Sequence, residues 1–149
     1  MRLRNDAGNA VIEFIFVAVL ILVPMVYFVT AVASIQRSNL GVSEAARDAG
    51  RAFATGESTQ DGLSRASAAV RLAMADQGLP DDATVRFVAV DGSCDAGPID
   101  PVLAPGAEFA ICVIRHTMLP GVPTLLAGHG IRTIGRYIVH VDDFRTVRQ

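Results

Sequence analysis

Twenty consecutive residues, Phe14 to Ala33, carry no charge, and the residue that opens this run, Glu13, is a carboxylate. At about 1.5 Å of rise per residue, such a helix spans roughly 30 Å, the hydrocarbon thickness of a bilayer, so one crossing fits with nothing to spare. Moving a carboxylate to the centre of a membrane helix costs about 2.5 kcal/mol or more, so Glu13 requires a partner or an interfacial position. Pro24 lies in mid-span, where it cannot donate to the carbonyl four residues earlier; a kink or locally loosened helix is expected there.

Before this run stands the short, charged segment Met1-Arg2-Leu3-Arg4-Asn5-Asp6-Ala7, followed by Gly8. It is too short to fold and basic at its tip, and it reads as a leader held in the cytoplasm. Arg2 and Arg4 favour an N-terminus inside and everything after Ser34 outside, although Arg37 sits on the opposite flank.

The chain has 149 residues, 51% of them hydrophobic, more apolar than a soluble domain of this size requires, and the first forty residues are responsible. About 95 residues remain beyond the long N-terminal helix, enough for one small domain. A net charge of −2 and scattered arginines leave no electrostatic footprint for nucleic acid. All basic residues apart from histidine are arginine, which excludes lysine-dependent catalysis. His116, His129 and His140 match no compact zinc pattern. No nucleophile elbow, phosphate-cradling loop or dinucleotide fingerprint occurs, so no enzyme, metal site or cofactor is expected.

Gly8 precedes Glu13 by five positions: counting from Asn9 as the first residue after a cut, Asn9, Ala10, Val11, Ile12 and Glu13 place the glutamate fifth. This constellation resembles the type IV pilin superfamily, in which a prepilin peptidase cuts after glycine and a glutamate stands at the fifth mature position. Farther along, Ser43-Glu44-Ala45-Ala46-Arg47-Asp48-Ala49-Gly50-Arg51-Ala52 is similar to the Ala-Ala-Arg-x-Gly/Ala-x-Arg-Ala stretch of TadE-like pseudopilins of the Tad (tight adherence, Flp pilus) system. The resemblance covers about the first 55 residues; the rest is similar in architecture alone.

The resemblance implies processing at Gly8 and Asn9, and assembly with other pilin or pseudopilin subunits and the Tad platform. Glu13 and Phe14 would lie at the subunit contact, with Glu13 pairing with a neighbour's freed amino terminus. Pro24 would be a place where the helix loosens on packing. The implied location is the bacterial inner membrane, crossed once, with contact to membrane lipid, a cytoplasmic N-terminus and the C-terminal domain outside.

Four segments are expected: a leader over 1–8, a membrane helix over 9–33, its continuation over 34–56, and a small extracytoplasmic α+β domain over 57–149. Ile35, Leu40, Val42, Ala45, Ala46, Ala49 and Phe53 recur at helical spacing, which carries the first helix to about Ala54. A second, amphipathic helix is expected from about Thr59 to the stop signal Gly78-Leu79-Pro80. Strands are expected near 83–90, 107–117 and 131–141, forming an antiparallel sheet beside the helices, with a proline-rich loop from Ser93 to Gly106.

Cys94 and Cys112 suit a disulfide in an oxidising compartment, with two buried thiols as the alternative. The apolar excursion containing Leu119, Val122, Leu125 and Leu126 is either a partner-binding or membrane-touching surface or a lid on the core. Two further fates stay open. One is an uncleaved signal anchor carrying a binding domain; the other is a secreted domain cut after Ala33 in Ala31-Val32-Ala33-Ser34.

Overall fold

The computed structural model describes residues 7–119, 128 and 130–144. The chain divides between Ala33 and Ser34 into two compact units. Helix α1, Ala7–Ala54, contributes to both and continues through Pro24. In the first unit every residue from Ala10 to Thr30 is exposed, and only next to its end is Ala31 buried. Thr30 satisfies its hydroxyl locally, donating to the carbonyls of Val26 at 3.0 Å and Tyr27 at 2.8 Å.

The second unit is α+β. After α1 come α2 (Thr59–Asp76), β1 (Thr84–Val88), β2 (Glu108–Thr117) and β3 (Ile131–His140). The strands form an antiparallel sheet in the order β1-β2-β3. Alternation along each strand sorts its side chains into two faces. Phe87, Ile111 and Tyr137 stand in one register row, with Val85, Val113 and Gly135 in the next. These rows join the core with Val42, Ala45, Ala46, Ala49 and Phe53 of α1 and Ala66, Val70, Ala73 and Met74 of α2. Phe53, Phe87 and Phe109 meet there with ring centroids 5.2–5.9 Å apart, the Phe53–Phe109 pair edge to face.

Two glycines let α1 come down close to the sheet. A Cβ on Gly135 would run into the backbone of Val42 and Ser43, and one on Gly50 would strike the Tyr137 ring. Ala45, Ala46 and Ala49, all fully buried, continue this small-residue face. The small residues of the Ser43–Ala52 stretch are thus core positions, while Arg47 and Arg51 of the same stretch point to solvent.

Helix α2 owes its limits to its caps. Ser58 accepts from the Asp61 amide at 3.2 Å, and the Asp61 carboxylate accepts from the Glu57 amide at 2.9 Å, occupying donors that the first turn leaves free. At the other end Gly78 takes φ +64, with Gly78 N–H bonding Ala75 O and Leu79 N–H bonding Met74 O, each at 2.9 Å. This Schellman closure needs the left-handed residue that glycine supplies. Leu79 then turns inward against the core and over Gly41 of α1.

Gly135→Ala is expected to destabilise the folded unit by about 1–3 kcal/mol, because the obstacle is helix backbone. Gly97→Ala, where an added Cβ meets nothing within 4 Å, should change stability by less than about 0.5 kcal/mol. Denaturant unfolding of the full chain in detergent, following the Cys94–Cys112 unit by circular dichroism, checks both.

Candidate functional site

The exposed stretch of α1 is long and apolar enough to cross a membrane, and none of its apolar window is buried within the chain. A signal sequence passes the same test of length and composition. A soluble core helix does too, but such a helix is mostly buried by its own fold, and this one is not. The backbone of Gly8 and Asn9 belongs to the first turns of α1. Glu13 is exposed and, among the described residues, has no hydrogen-bond or ion-pair partner. Phe14, beside it, is 74% exposed. A lone carboxylate at the head of an apolar helix is stable in lipid only if a charge from outside this chain's described residues meets it, or if it reaches the interface.

A second feature lies where α1 enters the folded unit. Ser38 is fully buried, and its hydroxyl lies 2.6 Å from Thr117 Oγ1 and 2.9 Å from Thr133 Oγ1. Arg115 donates from its terminal nitrogen to Ser38 and Thr117, each at 3.2 Å, and from Nε to Asp82 at 2.5 Å. Thr133 closes the set by donating to the Arg115 carbonyl at 3.2 Å. The residues come from α1, β2, β3 and the segment before β1, and no buried side-chain polar atom among the described residues lacks a partner.

Nothing in the sequence reading singled out this seam. One signal was available: Arg115 and Thr117 continue the alternate positions Phe109, Ile111 and Val113, so they had to face the helices. A buried guanidinium there demanded polar partners.

On the sheet's other face Cys94 and Cys112 form a disulfide, Cα atoms 5.7 Å apart, packed with Val88, Ala110 and Ile114. Closing a loop of eighteen residues contributes about 3 kcal/mol in the chain-entropy account. Three arginines fasten the segment from Val90 to Asp95 that leads into this loop. Arg86 reaches the Cys94 carbonyl at 3.4 Å, Arg136 the Val90 carbonyl at 2.5 Å, and Arg132 grips both Asp95 oxygens at 2.5 and 3.1 Å. The Arg132 hydrogen bonds hold the Asp95 carboxyl below its ordinary value of 3.8. For Asp61 the Glu57 amide is the largest cause of a shift in the same direction, with Arg65 adding to it.

The histidines do not converge. His116 is exposed, and His140 lies 3.0 Å from Glu108 across the β2–β3 pair. His129 lies outside the described residues, as do Val122, Leu125 and Leu126, while Leu119 is half-buried. Among the described residues no group of histidine, cysteine, aspartate or glutamate side chains is placed to hold a metal ion.

No protein-family profile matches the chain, and neither a curated protein nor a solved structure is detectably similar to it.

Ser38→Ala should destabilise the folded unit by about 1–3 kcal/mol, since Arg115 and Thr117 both lose a buried partner. The loss should exceed that of Ser64→Ala, whose hydroxyl is exposed on α2. Denaturant unfolding of the two variants measures the difference. A pH series supplies a separate test. With native values lowered, the stability due to Asp61 and Asp95 is fully present above their unfolded value of 3.8 and is lost as the pH falls through the native values. Asp61→Asn and Asp95→Asn should each flatten the acid limb of the unfolding midpoint against pH and leave its neutral-to-basic course parallel to the native curve.

Proposed function

We propose that this chain is a TadE-like pseudopilin, a minor subunit inserted as a single-span precursor, processed after Gly8 by a prepilin peptidase, and serving in assembly of a Tad-type pilus. The observation that carries the reading is the exposed apolar stretch of α1 from Ala10 to Thr30, with Glu13, which has no partner among the described residues, at its head five positions after Gly8. Cleavage would free the Asn9 amine as a cation. A neighbouring subunit's amine could then neutralise Glu13 in lipid, where an isolated carboxylate is strongly disfavoured. Phe14 and the apolar side chains after it would pack on other helices.

The role is structural, without catalysis or cofactor. The disulfide suits an oxidising space outside the inner membrane, which agrees with a cytoplasmic N-terminus and an exported second unit. Prepilin peptidase, other subunits and the assembly platform are the partners this reading requires.

Intact mass and N-terminal sequence of the protein from its host's membranes test it. Asn9 at the terminus is expected, with Gly8→Arg abolishing the cut. Glu13→Gln should be processed as the native chain is, yet fail to assemble, as read by pilus shear fractions. A terminus at Met1 would mean an uncleaved anchor, and one at Ser34 a secreted domain; either result overturns the proposal.

A further inference from the structure

Within the folded unit, the side of α1 turned away from the sheet carries Glu44, Arg47, Asp48 and Arg51; three are exposed and Asp48 is half-buried. With 3.6 residues per turn, Arg47 and Asp48 stand about 100° apart around the helix. Arg51 lies on the side of Arg47 and Glu44 on the side of Asp48. One flank of the stripe is therefore basic and the other acidic.

Few of these charges find a partner among the described residues. Glu44 accepts from Gln77 Nε2 at 3.0 Å, but among the described residues none of the four forms an ion pair, although their spacing permits it. Each flank also sets like charges four residues apart, an arrangement that weakens an isolated helix. Together with Leu40, which is 65% exposed, and Gln77, they line an open groove of about 570 Å³.

We infer that this stripe is a docking surface for a second copy of the same chain, the basic flank of one copy receiving the acidic flank of the next. The inference rests on the pseudopilin reading for orientation, since copies held in one membrane by the same segment lie parallel, and for the agreement in axial rise with Asn9 and Glu13 noted below. Raise a parallel neighbour by three residues, about 4.5 Å, and its Glu44 comes level with Arg47 and its Asp48 with Arg51. A rise of four residues leaves both pairs within about 1.5 Å of level. Four is also the spacing from Asn9 to Glu13, so pairing of a neighbour's amino terminus with Glu13 asks for the same displacement in the same sense. Because two different flanks meet with an axial rise, the contact is head-to-tail and does not close on itself, which is the geometry of an open filament.

The test uses the full chain in host membranes, with a photo-crosslinking residue in place of Leu40 and cross-linked copies identified by mass spectrometry. E44R/D48R has two basic flanks and R47E/R51E two acidic ones. Each expressed alone should lose self-cross-linking by at least about tenfold, since like charges then face each other. Co-expressed, they should regain a ladder of alternating copies.

Variants that cross-link as the native chain does would overturn the inference, as would a pair that fails together while each remains folded, or a native chain captured only by other proteins. If either reversed chain does not fold, E44Q/D48N and R47Q/R51Q replace them. Each should then weaken cross-linking, and an unchanged ladder refutes the stripe. The readout does not depend on cleavage at Gly8, so an uncleaved terminus would sink the pseudopilin reading while leaving this result to stand or fall separately.

Discussion

At Gly135 the backbone of β3 leaves no room for a side chain beneath the backbone of Val42 and Ser43, and the folded unit is arranged around that approach. A helix seated this close can present only small residues toward the strand, which is where Ala45, Ala46, Ala49 and Gly50 are placed. The larger volumes are displaced to its end, where Phe53 meets Phe87 and Phe109. Helix α2 covers what α1 leaves open, turning at Gly78 so that Leu79 closes over Gly41.

The same seating explains why polar residues can be buried at the other end of the contact. Ser38 is fully buried in the interface, and its hydroxyl joins Thr117, Thr133 and Arg115. Hydrogen bonds of this kind add little net stability when complete, but leaving one partner unmet is expensive, so they favour one helix position over its alternatives. Opposite them, the Cys94–Cys112 bond and three arginines hold an irregular loop over the sheet's second face. The central strand β2 is covered on both sides as a result.

Much of this was legible from local pattern. The ends of α1 and α2 follow from helical spacing and from Gly78, and the three strands from alternation between turn residues, because these signals act over a few neighbouring positions. Residues joined only by folding were not legible. Ser38 and Thr133 look like ordinary polar residues in sequence, and the alternation that puts Arg115 and Thr117 on the helix-facing side of β2 does not name their partners. The role of Gly135 was equally hidden: a glycine in a strand is read as a weakness until the element above it is seen.

By itself, the sequence determined that α1 has an unbroken apolar stretch headed by one carboxylate, that the remainder is α+β, and that two cysteines stand within reach of one loop. These depend on composition and short-range periodicity, which fix what each segment can bury and how it must be hydrogen-bonded. Tertiary structure alone decided which face of α1 is spent on the sheet and which carries charges that form no ion pair among the described residues. That choice depends on how near two backbones can come, a property set by residues ninety-three positions apart in the chain, Val42 and Gly135, and by no segment on its own.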